Sequence, residues 1–244
     1  MTQVICRGVE VRYRNYTLGP IDIDFEPGIT CLVGANGAGK STFFRALAGI
    51  ERFSSGDVSI SRTGSQGGSR AAATRVGLLP QDVSLPPAAT VTQYLTYCAW
   101  LAAVPRQNRR DVVARAVAAV GLDRQADTPC RRLSGGMVRR VGLAQALVGD
   151  PDVVLLDEPT VGLDPVQRDD MRRLLVQGGQ SRVTILATHL LEDVRAVADR
   201  VVVLRSGRVV FTGTVPQLEA TADTASGQPL ESAVMQLLGA GSHS

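Results

Sequence analysis

The apolar run Ile29-Thr30-Cys31-Leu32-Val33 feeds without a break into Gly34-Ala35-Asn36-Gly37-Ala38-Gly39-Lys40-Ser41, and from there into Thr42-Phe43-Phe44-Arg45-Ala46-Leu47-Ala48-Gly49. A short apolar run, a glycine-rich turn and a segment with Phe44, Leu47 and Ala48 on one face read as strand, loop and helix. The turn fits G-x-x-x-x-G-K-[ST], a loop that cradles phosphate. Its glycines let consecutive N–H groups point inward at phosphate oxygens, and the helix that follows adds its positive N-terminal end. Gly34, Asn36, Gly37, Ala38, Gly39, Lys40, Ser41 and Thr42 are therefore candidate nucleotide contacts. Lys40 is placed to reach the β- and γ-phosphates, and Ser41 to give its hydroxyl to Mg²⁺. Composition sharpens this reading. Of the 26 basic residues, 25 are arginine, and the single lysine is Lys40. A compact ammonium follows a phosphate into a tight loop where a planar guanidinium does not fit.

The 244 residues, 44% of them apolar and 20% charged, suit one large domain or one domain with an inserted subdomain. No run approaches the ~20 apolar residues of a membrane span. The nearest, Val91 to Val104, is 14 residues long and includes Thr92, Gln93 and Thr96. The N-terminal MTQVICRGVEVRYRN has no apolar leader core, so a soluble chain kept in the cytoplasm is expected. Four cysteines without a C-x-x-C pair, and only two histidines, argue for reduced, buried thiols rather than zinc. A net charge of +3 is too small to point to nucleic acid, though it is compatible with an anionic membrane surface.

Strands are expected at 3–13, 20–25 and 29–33, with turns at Asn15 and at Pro27-Gly28, and again at 57–60 and 75–79. Between the last two, TGSQGGSR at 63–70 reads as a flexible surface loop. From about Val91 to Val148 the character is helical, with helices over 111–120 and 137–148. Strand 153–156, helix 165–177, strand 183–187, helix 190–198 and strands 201–204 and 208–211 then follow. Strands alternating with helices imply an α/β fold with a mostly parallel sheet covered by helices on both faces. The final residues, from TADTASGQPL onward, are small and polar, then briefly amphipathic at Leu230 to Leu238, and disorder is the default there.

Two further motifs carry chemistry. In Val153-Val154-Leu155-Leu156-Asp157-Glu158-Pro159 an apolar strand ends in two acids, which places them at the carboxyl edge of the sheet beside the phosphate loop. Asp157 suits the surroundings of Mg²⁺, and Glu158 can polarise an attacking water. Leu133-Ser134-Gly135-Gly136-Met137 opens a helix, with Ser134 as N-cap and two glycines leaving N–H groups uncovered.

The order phosphate loop, LSGG, LLDEP resembles the nucleotide-binding subunit of ABC transporters, and the variant Ser134-Gly135-Gly136-Met137 followed by Arg139 and Arg140 resembles the branch attached to ABC-2-type exporters. The resemblance implies a P-loop NTPase core with an antiparallel β subdomain and an inserted helical subdomain. The ATPase cassette would span 1–216, with 1–90 and 150–216 as core, 91–149 as the helical block carrying LSGG, and 217–244 as a tail. It implies ATP and Mg²⁺ as cofactors. Two subunits, alike or related, would clamp two nucleotides head to tail, so that Ser134, Gly135 and Gly136 close on the γ-phosphate held by the partner. Gln81 matches the glutamine loop that senses Mg²⁺ and the attacking water, Asp164 the aspartate loop that couples the sites, and His189 the switch histidine beside the γ-phosphate. Tyr13, 21 residues before Gly34, is the better match to the aromatic that stacks on adenine, with Tyr16 the other choice. Met137 stands where glutamine is usual and Val161 where serine is usual.

The function so implied is ATP hydrolysis driving export through separate integral membrane permease subunits. The chain would lie on the inner face of the cell membrane, with no nucleic-acid partner. The competing readings are a non-transport ABC-type ATPase acting on ribosomes or DNA, and a soluble P-loop kinase of small molecules. The first usually shows two cassettes or a long coiled coil, and the second has no LSGG motif.

Overall fold

Burial dictates which strands sit at the centre. The computed structural model of the chain describes residues 2–62, 75–179, 182–222 and 227–239; the stretch at 63–70 lies outside them. Along the chain come β1 (Thr2–Arg12), β2 (Thr17–Phe25), β3 (Gly28–Val33), α1 (Lys40–Leu47), β4 (Ser55–Arg62), β5 (Val76–Leu79), α2 (Val91–Leu101), α3 (Arg109–Ala119) and α4 (Gly135–Leu147). There follow β6 (Val153–Asp157), α5 (Pro165–Gly179), β7 (Val183–Thr188), α6 (Leu191–Val197), β8 (Arg200–Arg205), β9 (Arg208–Gly213), α7 (Val215–Glu219) and α8 (Pro229–Leu238).

β6 and β7 are buried at every position, as expected of parallel strands covered on both faces. They lie inside a six-stranded sheet ordered β5-β6-β7-β3-β8-β9, parallel except for the β8–β9 hairpin. The start of β3 is pinned by a close approach. The Asp199 carboxylate accepts from the Ile29 N–H at 2.7 Å, and a Cβ on Gly28 (φ 116°) would lie 2.7 Å from that same oxygen. Only glycine fits there.

Side chains of the central strands alternate between two cores. Cys31, Val154, Leu156, Leu186, Val201 and Val203 face one, which α2 through α8 cover. Leu32, Val153, Leu155, Ile185, Val202 and Leu204 face the other, which α1 shares with a three-stranded antiparallel sheet, β2-β1-β4. Helices thus lie on both faces, as expected; α1 is the only one in the second core among the described residues, and β1 and β2 of the expected antiparallel subdomain do the rest of the covering. Phe25 and Phe43 join these layers with ring centroids 6.2 Å apart, both fully buried. Burying each such ring is worth about 1.5–3 kcal/mol.

The helical block starts with a well-made cap. The Thr90 hydroxyl accepts from the Gln93 N–H at 3.2 Å, and the Gln93 side-chain oxygen accepts from the Thr90 N–H at 2.9 Å. At the other end of the chain the structure departs from the expected disorder. α7 begins with a second capping box, Thr214 with Gln217. α8 buries Leu230, Ala233 and Val234 in the first core, and a two-pronged ion pair from Arg195 to Glu231 (2.6 and 2.7 Å) ties it to α6. The pattern Leu230, Ala233, Val234 is one helical stripe, too short to identify as a core helix without its partner surface.

Candidate nucleotide site

Strand register assembles the site. Val33 pairs with Thr188, Asp157 with Ala187 and Leu79 with Leu156. The carboxyl ends of β3, β5, β6 and β7 thus share one edge, and Gly34, Gln81, Glu158 and His189 each follow one or two residues later. Open parallel sheets bind ligands at that edge.

The loop from Gly34 to Gly39 is shaped by glycines at three points. A Cβ on Gly34 would lie 2.5 Å from the Leu204 carbonyl, Gly37 has φ 80°, and Gly39 has φ 106° with the Tyr16 hydroxyl 2.2 Å from where its Cβ would be. Lys40 opens α1 and is buried; its ammonium donates to the Gly34 carbonyl at 2.7 Å and the Ala35 carbonyl at 3.2 Å. Burial lowers its pKa, against the opposing pull of Glu158 and Asp157. Tyr16, Asn36, Gly37, Gly39, Lys40, Ser41, Thr42, Gln81 and Glu158 line a cleft of about 380 Å³ here.

Asp157 and Glu158 are both buried. Burial raises the Asp157 pKa, with the Ser41 hydroxyl as the chief opposing influence. Oδ1 of Asp157 has no hydrogen-bond partner among the described residues and is shielded from solvent. A buried carboxylate oxygen left open beside a hydroxyl, at the base of a phosphate loop, fits a hard cation with oxygen ligands, and Ser41 and Asp157 are the residues that would hold Mg²⁺. Glu158 stands in the left-handed region at φ 53°, a strain of about 1–3 kcal/mol for a residue with a side chain. Its N–H donates to the Ala187 carbonyl at 2.9 Å. Its carboxylate faces Nδ1 of His189, 2.9 Å from Oε1 in hydrogen-bonding geometry and 2.8 Å from Oε2.

Other sequence-predicted residues lie elsewhere. Tyr16, not Tyr13, is on the cleft wall, donating its hydroxyl to the Ala38 carbonyl at 3.0 Å. Tyr13 stacks on it one ring further out, centroids 6.5 Å apart, and is 41% exposed. Ser134 caps α4, accepting from the Met137 N–H at 3.4 Å, and Gly135 and Gly136 form its first turn. Asp164 accepts from the Gln167 N–H at 2.8 Å, and a Cβ on Gly136 would meet the Gln167 side chain at 2.6 Å. The LSGG turn and the aspartate loop are therefore neighbours, and neither lines the cleft of its own chain.

Sequence reasoning missed Arg139. From α4 it donates to the Pro80 carbonyl and to the Glu158 carbonyl, each at 3.1 Å. Also missed was a buried group in which Asp193, 1% exposed, pairs with Arg172 at 2.6 Å and accepts from the Thr160 hydroxyl. Both depend on partners far apart in sequence, which no local pattern reveals.

The comparisons with known proteins meet this geometry directly. The sequence profile described as ABC transporter matches residues 18–161, more than half of the chain. The chain belongs to the ABC transporter family. It carries that family's nucleotide-binding ATPase domain. The domain is 42% identical over 203 residues to the methionine import ATP-binding protein MetN 2 of Rhodococcus jostii (strain RHA1), covering 80% of this chain and 59% of that one. It is 38% identical over 186 residues to the Nod factor export ATP-binding protein I of Burkholderia orbicola (strain AU 1054), covering 75% and 60%. The chain thus spans about six tenths of the length of these curated relatives. Among solved structures it superposes on cbiO1 from Clostridium perfringens, part of the ABC transporter complex cbiONQ, with TM-score 0.75, 30% identity, and coverage of 89% of this chain and 90% of that one. No helix among the described residues is long and apolar enough to cross a membrane.

Proposed function

We propose that this chain binds MgATP, hydrolyses it, and drives export through separate membrane permease subunits as a peripheral protein on the inner face of the membrane. The observation that carries the chemistry is the buried pair at the end of β6. Asp157 offers an open oxygen beside Ser41 for the metal, and Glu158 is held by His189 at the mouth of a cleft that Lys40 enters. Lys40 can exchange its two loop carbonyls for phosphate oxygens. Glu158 takes the proton of the attacking water as the γ-phosphoryl group leaves ADP, Gln81 orients that water, and His189 keeps the carboxylate aimed. Mg²⁺, when bound, neutralises the charge spread over the phosphates.

What lines the cleft supports a working dimer. Ser134, Gly135 and Gly136 lie outside it, so a second copy or a related subunit would bring its own LSGG turn to each γ-phosphate, with Asp164 beside the junction. Because both halves contact the γ-phosphate, its loss removes the contact that favours the closed state. Relatives named for import and for export both match, so the direction rests on Met137-Val138-Arg139-Arg140, the exporter-like variant after SGG.

Replacing Glu158 tests the reading. Glu158→Gln should keep ATP affinity within about 2-fold, slow hydrolysis by about 10²–10⁴-fold, and shift the chain to a dimer on size exclusion with MgATP. Hydrolysis at the unmodified rate would remove Glu158 from the mechanism. Pull-down of the same variant from solubilised native membranes with ATP should recover a polytopic membrane protein in stoichiometric amount. Ribosomal or DNA-bound partners instead would overturn the transport role and leave the ATPase standing.

A further inference from the structure

Arg139 and Arg140 are adjacent on α4 but have unlike surroundings. Arg140 braces the scaffold, donating to the Val120 carbonyl at 3.3 Å beyond α3 and to Asp170 on α5 at 2.8 Å. Arg139 makes no ion pair among the described residues. Its fork is spent on two backbone carbonyls at 3.1 Å, Pro80 just before Gln81 and Glu158 itself. Burial lowers its pKa, while Asp82, Asp157 and Glu158 favour its charge. We propose that Arg139 is a positioning residue that ties the catalytic carboxylate to the LSGG helix and to the glutamine loop at once. The proposal rests on the reading of Glu158 as the base.

Three features support it. First, Glu158 adopts a left-handed backbone that its side chain disfavours, so something must hold it. The strand secures its N–H through the Ala187 carbonyl, but among the described residues its own carbonyl has only the 3.3 Å bond from the Val161 N–H besides Arg139. Second, the two carbonyls belong to the two loops that carry groups needed around the attacking water, Gln81 and Glu158. One rigid guanidinium sets their separation; a lysine ammonium on a flexible stem would not fix both. Third, Arg139 lies one turn beyond Gly135 on the helix that starts at the LSGG turn. Movement of that helix therefore reaches the base through the bond to the Glu158 carbonyl, and the glutamine loop through the bond to the Pro80 carbonyl. A carboxylate placed in this way is competent only while α4 is seated.

The test is steady-state and single-turnover hydrolysis by the full chain carrying Arg139→Met, Arg139→Lys, Glu158→Gln and the Arg139→Met/Glu158→Gln pair, with ATP binding measured alongside. Misplacing the base should cost Arg139→Met about 10²-fold in kcat, with KM and ATP affinity within about 2-fold. Arg139→Lys, able to satisfy one carbonyl, should fall between Arg139→Met and the unmodified chain. In the Glu158→Gln background Arg139→Met should add nothing to the loss, because the group it positions is already gone. A full additional loss in that background, or a kcat unchanged in Arg139→Met, overturns the proposal. If Glu158→Gln itself hydrolyses at the normal rate, the reading of Glu158 has failed instead. Circular dichroism and Tm of each variant separate misfolding from misplacement, since a misfolded fraction lowers kcat and nucleotide-binding stoichiometry together.

Discussion

At the scale of single residues, Asp157 combines two demands that oppose each other. Its carboxylate is buried with one oxygen unpartnered, and burial holds its pKa above the usual 3.8. Between 3.8 and the raised folded value, the native chain keeps a proton that the unfolded chain has released. That contribution favours folding at low pH and is lost as pH rises through the folded pKa. Above that range the buried group is a standing cost that Mg²⁺ would offset. Asp157→Asn should therefore raise the Tm of the metal-free protein at pH 7, at about 2–4 °C per kcal/mol for a chain of this size, and abolish the further rise that MgATP gives the unmodified chain. Scanning calorimetry with and without MgATP checks both, and a metal-free Tm that fell would contradict the account. The aromatic pair allows a second test. Exposed Tyr13 is proposed to stack on the adenine, with Tyr16 braced behind it on the Ala38 carbonyl. Since base stacking is worth about 1–3 kcal/mol, Tyr13→Ala should weaken ATP binding roughly 5- to 160-fold, and Tyr16→Phe should do much less. Titration with a fluorescent ATP analogue showing the reverse order would move the platform to Tyr16.

Elements differ in how far sequence reveals them. The β3–loop–α1 unit was readable because its signals are local: an apolar run, three glycines and a helical stripe within 21 residues. The two acids could be assigned to a sheet edge because the four residues before them, Val153 to Leu156, are all apolar. The antiparallel cover on the second core came from the family resemblance and not from local pattern, since β1 pairs with β4 across some 50 residues and strand alternation alone does not say which face a helix leaves free. Arg139 and Asp193 were invisible for the same reason, their partners lying 19 to 59 residues away. The Asp193 group now predicts how α5 and α6 stay together. Arg172 on α5 and Thr160 beside the acids converge on a carboxylate in the first turn of α6, just after His189. Breaking a buried pair costs about 3–5 kcal/mol; Arg172 keeps some solvent and has Glu192 within 3.3 Å, so the lower end is expected for Asp193→Ala. Urea denaturation should show that loss in the midpoint without a change in slope, whereas Glu192→Ala, on an exposed partner, should shift it little.

Across the whole molecule, one fact organises the function: the chain holds a phosphate loop and an LSGG turn that do not meet within it. Either the turn moves to its own cleft, or it serves another chain. Mixing two inactive variants decides this. Lys40→Ala spoils the phosphate loop and leaves the turn intact; Ser134→Arg leaves the loop intact and blocks the turn with a long cation. In a head-to-tail dimer of the two, one site combines both faults and the other combines both intact parts. With random pairing half of the dimers are mixed, so independent sites in an equimolar mixture should recover about a quarter of the unmodified activity. A turn acting on its own cleft gives no recovery at any ratio, because every chain then carries a fault in its only site. Recovery should also fall on dilution below the dimer's dissociation constant, and return with added unmodified chain. Hydrolysis measured against mixing ratio therefore reports which chain each LSGG turn serves, independently of what the membrane subunits carry.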